Sequence, residues 1–378
     1  MSERVINPDL KFVNEVVQAG GESMKKCFQC ATCTVVCNVT PPDNPFPRKE
    51  MIQAQWGLKD ELFKNPDIWL CHQCSDCTAY CPRGAKPGEV LGAIRKMTLQ
   101  RYSKPSFLAK AVGDSKYLVF LLAVPVVIFL LILASLGHLS LSSIPRGEDG
   151  SIVYAHFIPV PYIDAVFIAA ALFAAIVFVN GVLSYWKDMA GGGLTKWQKV
   201  HGGGFLGAIS STIGEIISHN RFRKCDLTNK RATSHLLVFY SFVGLAITTT
   251  VAIYYLYGLH WESPYPLTDP LKILANVSAI ALLIGIGLVI TNRLKNAEKA
   301  GVGSYYDWLF IGVVAAIVIT GILSEVTRLA NIAALAYPIY FIHLVSVFFL
   351  FAYAPFSKMA HMVYRTTAMV FSKLSGRE

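Results

Sequence analysis

Six apolar stretches, each about twenty residues or longer, constrain this 378-residue chain more than any other feature it has. They run approximately 117–138, 162–186, 235–259, 270–291, 305–329 and 336–357. A backbone surrounded by hydrocarbon must satisfy its own N–H and C=O groups, so only helices and closed barrels span a bilayer. Twenty apolar residues make a helix of roughly 30 Å, the thickness of the hydrocarbon layer, whereas barrel strands need only about half that number. The expectation is a six-helix transmembrane bundle over 117–378. Its last span is expected to run on through Pro355 as one helix reaching His361. Residues 1–116 contain no comparable run and about half of the chain's charged side chains, and read as a separate head domain.

Charge between the runs sets an orientation. The segment 187–234 carries Lys187, Lys196, Lys199, Arg221, Arg223, Lys224, Lys230 and Arg231. Arg293, Lys295 and Lys299 follow the fourth run, and Lys358, Arg365, Lys373 and Arg377 lie in the tail. By contrast 139–161 holds only Arg146, and 260–271 holds no Lys or Arg. Cytoplasmic connections are the Lys- and Arg-rich ones, so both termini and the head are expected in the cytoplasm, with the bundle in the inner membrane. The polar amino terminus does not read as a cleavable signal. The net charge of +10 does not mark a nucleic-acid binder, because no soluble face interleaves basic and aromatic residues and much of the excess flanks the apolar runs. The stretch 203–220 reads as a helix lying on the inner surface, with glycine hinges at 191–193 and 202–204. Gly285 and Gly287 read as helix-packing positions.

Eight of the nine cysteines fall within 27–81. Cys27-x2-Cys30-x2-Cys33-x3-Cys37 is followed by Cys71-x2-Cys74-x2-Cys77-x3-Cys81-Pro82, the two-cluster ferredoxin run given twice. Three closely spaced thiolates wrap three corners of one cubane and the fourth crosses to the other. Cys27, Cys30, Cys33 and Cys81 are therefore assigned to one [4Fe–4S] cluster, and Cys71, Cys74, Cys77 and Cys37 to the second. Zinc is the competing reading, but a tetrahedral site uses two Cys-x2-Cys pairs and has no use for three cysteines in seven residues. Asn38 follows Cys37 where Pro is usual. The stretch Arg48 to Leu62 reads as helical, and the pattern around both motifs favours an all-helical ferredoxin domain. Cys225 stands alone and reads as a small interfacial residue.

Histidines inside a bilayer are costly and therefore informative. A b-type haem in a bundle needs two imidazoles facing each other from different helices. His343 and His361 are 18 residues apart, so on one continuous helix they share a face about 27 Å apart. His235 opens the third span on the side where His361 ends, and the two are paired in an inner haem. His343 is expected to bind an outer haem through a partner left open, since His138, His156 and His260 all lie at helix ends or in loops. It could instead bond quinone or pack between helices. His201 and His219 read as surface or interface residues, although His219 could approach an inner haem. His343, Glu325 and Arg328 form one candidate quinone site, and His219 with the amphipathic helix another.

With these residues in place a resemblance emerges. The head resembles the iron–sulfur C subunit of heterodisulfide reductases, and the bundle looks like their cytochrome b subunit and the γ subunit of respiratory nitrate reductase. The fusion is similar to the C subunit of quinone-interacting membrane-bound oxidoreductases, the Qmo type. Asn44-Pro45-Phe46-Pro47-Arg48 and Pro355-Phe356-Ser357-Lys358-Met359-Ala360-His361 support it. In the nitrate-reductase cytochrome the helix matching the third span carries two histidines ten residues apart, and His235 fits the first while the second position is Leu245. His343 and His361 match both histidines of that family's last helix. The resemblance implies an all-α fold, haem b, and electron transfer between menaquinone and cytoplasmic flavin/iron–sulfur subunits serving adenylylsulfate reductase. The nearest rival is the equivalent subunit of a heterodisulfide- or sulfite-reductase-linked complex. Rivals of another class are a redox sensor and a transporter, the latter without an evident inverted repeat.

Overall fold

A computed structural model of the chain describes residues 6–191, 204–219, 224, 229–295 and 303–377. His201, Asn220, Cys225 and most of the two expected glycine hinges lie outside the described residues. Every regular element among those residues is helical, so the expected all-α class holds. Among the described residues six helices are long and apolar enough to cross a membrane: Ser115–Leu136, Val160–Gly191, Ala232–Gly258, Pro270–Lys295, Tyr305–Leu329 and Ala333–Ala352. The third packs along the fourth and the fifth along the sixth, while the first and second both lie against the sixth. Gly244 and Gly285 make the third–fourth contact close. A Cβ on Gly244 would collide with the Ser278 hydroxyl, and one on Gly285 would crowd Leu237 and Val238. Gly287 has no such neighbour, so only half of the expected glycine packing is realised.

The sixth span does not run on to His361. It ends at Ala352, a short 3-10 turn covers Ala354–Phe356, and a separate helix Ala360–Leu374 follows after a brief link. Pro355 explains the break: it has no N–H to give to Phe351, and its ring would clash with that carbonyl. The freed backbone is then held from outside. The Ser103 hydroxyl donates to the Pro355 carbonyl at 2.7 Å, and Tyr306 Oη to that of Phe356 at 3.1 Å. The five-turn spacing of His343 and His361 on one helix is therefore corrected. They sit on two helices with different neighbours.

The expected helix from Arg48 to Leu62 is also broken, into Arg48–Gln55 and Lys59–Phe63. Gly57 between them has φ +68°, and a Cβ there would run into the Asp9 carbonyl oxygen. This turn lets the amino-terminal helix Leu10–Val16 seat Phe12 and Val16 in the core.

One core runs from the head into the near end of the bundle. Phe12, Leu62, Trp69 and Ile94 of the head belong to the same buried cluster as Tyr185 and Met189 of the second span, Phe349 of the sixth, and Tyr364 and Phe371 of the final helix. Trp69 and Tyr364 stack with centroids 5.3 Å apart, a contact adding about 1 kcal/mol beyond burial. The Tyr364 hydroxyl occupies the space where a Cβ on Gly181 would be. Ion pairs close the seam: Arg377 reaches Asp67 at 2.6 Å and Lys373 reaches Glu215 at 3.0 Å. The helix Gly204–Ser218 packs against the final helix, with the Lys373–Glu215 pair between them.

Candidate cluster and haem sites

Both cysteine motifs fold alike, residue for residue. The second residue after the leading cysteine and the fourth are left-handed in each: Gln29 (φ 60°) and Ala31 (φ 69°), then Gln73 (φ 51°) and Ser75 (φ 74°). None of these is glycine, so each conformation costs on the order of 1 kcal/mol and needs a compensating reason. The strain bends each loop into a cup. One-turn helices, Thr32–Val35 and Asp76–Ala79, then carry Cys33 and Cys77 inward. Side chains brace the cups from behind. Gln55 Nε2 donates to the carbonyls of Met24 and Cys27, both at 2.9 Å. Arg95 donates to the carbonyls of Ile68 and Cys71 at 3.1 and 3.0 Å and to Gln73 Oε1 at 2.8 Å.

The thiols sort into two sets. Burial pushes the Cys33 thiol up to about 11, with the charges of Cys27, Cys30 and Cys81 adding to it. Burial likewise pushes Cys37 up to about 12, with Cys71 and Cys74 adding. Cys77 is raised further still, by burial and then by Cys71, Cys74, Cys37 and, least, Cys33. The larger charge effects group Cys33 with Cys27, Cys30 and Cys81, and Cys37 with Cys71, Cys74 and Cys77, and the two sets adjoin where Cys33 bears on Cys77. The cysteines Cys27, Cys30, Cys33 and Cys81 line one pocket together with Arg48 and Arg83. Four thiolates crowded in this way repel one another unless iron charge offsets them, which is the donor chemistry of a cubane. Among the described residues no three His, Cys, Asp or Glu side chains converge tightly enough to hold a single metal ion.

The two sets face different surroundings. Cys30 is exposed, and its sequence neighbours Phe28 and Val35, like Tyr80 beside Cys81, are also exposed. Cys37 and Cys71 instead pack beside Met369 of the final helix and Ile216 of the Gly204–Ser218 helix. From the final helix Arg365 donates to the carbonyls of Leu70 and Cys71, both at 3.4 Å, and contacts the His72 ring.

His361 lies one helical turn before Arg365. Its Nδ1 is 2.7 Å from the Lys358 carbonyl, which can only accept, so Nδ1 carries the proton and Nε2 the lone pair. Burial holds the ring neutral, its pKa lowered to about 3, and the charge of His235 is among those that bear on it. His235 is thus near enough for its charge to bear on His361, though more weakly than Lys358 and Arg365 do. His219 lies beside His235, its Nε2 3.0 Å from His235 Nδ1. The sequence left His219 able to approach an inner haem but did not show that it meets His235 directly, because it follows a separate short helix.

His343 lies half-way along the sixth span, against the fifth. Its Nδ1 is 3.1 Å from the Thr320 hydroxyl, and Gly321 leaves room for the ring: a Cβ there would be 3.1 Å from Cε1. The Thr320 hydroxyl donates to the Ala316 carbonyl and so accepts from His343, leaving Nε2 as the basic nitrogen. Leu245 packs with the fourth and fifth spans. His138 meets the Phe157 carbonyl at 2.9 Å in the loops, and His260 lies in the loop after the third span. Glu325 pairs with Lys272 at 2.8 Å and receives Asn276 at 3.3 Å.

Comparison with known proteins matches residues 23–85 to a 4Fe–4S dicluster domain, and residues 113–378 to the family described as citrate utilization protein B. Relatives of the head include the C subunit of the H(2):CoB-CoM heterodisulfide,ferredoxin reductase of Methanothermobacter marburgensis. It is 37% identical over 112 residues, 29% of this chain and 58% of that protein. Citrate utilization protein B of Escherichia coli is 24% identical over 371 residues, 92% of this chain and 89% of that protein. The E subunit of the dihydromethanophenazine:CoB–CoM heterodisulfide reductase of Methanosarcina thermophila is 27% identical over 212 residues, 53% of this chain and 76% of that protein. The chain spans little more than half the length of the heterodisulfide reductase C subunits it matches. No solved structure matches it. Its amino-terminal part thus matches a 4Fe–4S dicluster domain, and six of its described helices are long and apolar enough to cross a membrane. Its head is similar to the C subunits of heterodisulfide reductases, and its bundle to their E subunits. The Qmo-type assignment and the link to adenylylsulfate are not what these relatives favour.

Proposed function

The chain belongs to the citrate utilization protein B family, and we propose that it carries electrons between a membrane quinol and soluble partner subunits of a heterodisulfide-reductase-type complex. The head (1–116) holds two [4Fe–4S] clusters, by Cys27, Cys30, Cys33 and Cys81 and by Cys71, Cys74, Cys77 and Cys37. The bundle (117–378) holds haem b between His235 and His361. When bound, each of these groups takes up and returns single electrons. The chain's own part is to hold them, keep the imidazoles neutral and set the distance between them.

The observation that carries this reading is the final helix. Within about one turn it carries His361, on which the charge of His235 of the third span bears, and Arg365, which donates to the Cys71 loop, so one element joins the proposed haem side to the second cluster. Of the first set Cys30 is exposed, with Phe28, Val35 and Tyr80 exposed nearby in sequence, and this is the face proposed to meet a partner protein. Positive-inside bias puts that face in the cytoplasm. His343, with its basic Nε2, is assigned to the quinol or to a second haem. Menaquinone is the proposed quinone.

The test is rapid mixing of the purified chain with a menaquinol analogue, followed by freezing for EPR. Haem reduction followed by cluster reduction within the turnover time supports conduction. Reduction too slow for turnover favours a redox sensor. The full-length match to a citrate utilization protein supports a second setting, with the same cofactors and a different soluble partner. Proteins that copurify with the chain separate the two.

A further inference from the structure

We infer that His219 is a positioning residue for His235, taking the Nδ1 proton of that ring and thereby fixing Nε2 as its unprotonated nitrogen. The inference rests on the reading that His235 and His361 hold a haem. It follows from one fixed point. His219 Nδ1 lies 3.2 Å from the Ile217 carbonyl, which can only accept, so Nδ1 carries the proton. In the neutral ring Nε2 is then the lone-pair nitrogen. That atom is 3.0 Å from His235 Nδ1, so His235 is the donor and its own lone pair lies on Nε2. The ring centroids are 5.1 Å apart and the planes tilted by 57°, the arrangement of an edge hydrogen bond and not of a stack.

The surroundings fit a residue built for position. His219 closes the helix Gly204–Ser218 with φ 51°, a left-handed conformation that a non-glycine residue adopts at a cost. The turn buries the ring to 5% exposure. Phe239 of the third span packs on it at 5.1 Å, and the Tyr240 hydroxyl donates to the same Ile217 carbonyl at 2.9 Å. His361 reaches the same tautomer by a simpler route, with its Nδ1 on the Lys358 carbonyl. The two rings therefore differ in what stands behind them: a carbonyl for His361, a second imidazole for His235. An imidazole nitrogen is the stronger base, so it leaves more electron density on the His235 ring. Such partners orient a ligating histidine and raise its basicity, and removing one typically costs roughly 10–100-fold in affinity.

The experiment uses the full chain purified in detergent, comparing His219→Leu, His219→Gln and His235→Ala. Cluster EPR serves as the check that each variant is folded. In His219→Leu we expect haem with the EPR signature of two imidazole ligands, bound roughly 10–100-fold more weakly, at a midpoint potential shifted positive. His219→Gln, whose amide oxygen can accept the same proton, should recover most of the affinity. Two results overturn the inference while leaving the haem reading intact. One is complete haem loss in His219→Leu and His219→Gln alike, equal to His235→Ala, which would make His219 an iron ligand. The other is an unchanged potential and affinity in His219→Leu, which would make it packing alone. Parent chain without haem overturns both readings together.

Discussion

At the residue scale, ligand chemistry is the most local property of the chain, and it was correspondingly legible. The spacing of eight cysteines gives the two-cluster pattern from the sequence alone, a pattern the match to a 4Fe–4S dicluster domain supports, while the crossed sharing of the fourth ligands is a proposal. What spacing does not reveal is the backing. Gln55 lies 28 residues from the cysteine whose carbonyl it holds, Arg95 lies 24 away and Arg365 lies 294 away. We expect Cys81→Ala to change only the cluster of Cys27, Cys30 and Cys33, and Cys37→Ala only that of Cys71, Cys74 and Cys77. Each should yield a three-iron EPR signal from the affected cluster beside an unaltered four-iron one. The same cluster altered in both variants would refute the crossing. The place of His219 beside His235 was hard to read, because it depends on where a short helix ends and not on any periodicity.

At the element scale, the sixth span shows why helix length was overestimated. Apolarity continues through Pro355, but the chain turns there because Ser103 and Tyr306 stand ready to take its carbonyls. Those partners lie some 250 and 50 residues away in sequence, beyond any local pattern. The resulting final helix is the element that touches both sites. Replacing Arg365 with Met removes two donors and a positive charge beside Cys71, so the potential of the second cluster should fall while that of the first stays. Arg365→Lys should restore part of the shift, and equal shifts in both clusters would argue against a local effect. A second element-scale prediction concerns Glu50 on the Arg48–Gln55 helix. It is fully buried, bonded by Asn65 at 2.8 Å, and burial followed by the charge of Asp67 pushes it up to about 7. A carboxyl raised in the folded state stabilises it below the unfolded pKa and loses that contribution as pH rises through the folded one. Thermal bleaching of the clusters should therefore come at lower temperature at pH 8 than at pH 5. Glu50→Gln should flatten that dependence and gain roughly 1–3 kcal/mol at pH 8. A pH profile identical to that of the parent would contradict the buried-charge explanation.

At the scale of the whole molecule, the six spans were readable because hydrocarbon leaves the backbone so few options, and the all-helical class followed. The junction of head and bundle was not readable, since it is built from residues scattered along the chain. Trp69, Gly181 and Tyr364 meet there, and Asp67 meets Arg377. The consequence is that head and bundle share a core, and the final helix is the part that both need. A chain shortened before Ala360 should lose His361, Arg365 and the Trp69 stack together. Haem and the second cluster would then be impaired at once, whereas retention of both in full would sever the link drawn between them. The central claim is that one chain holds two clusters in its head and a haem between His235 and His361. Non-haem iron, sulfide and haem per chain, measured on the parent, His235→Ala and His361→Ala, test it directly. We expect about eight irons and eight sulfides in all three, with the same haem component present in the parent and missing from both variants. Stoichiometric zinc in place of iron, or loss of different haem components in the two variants, would contradict it.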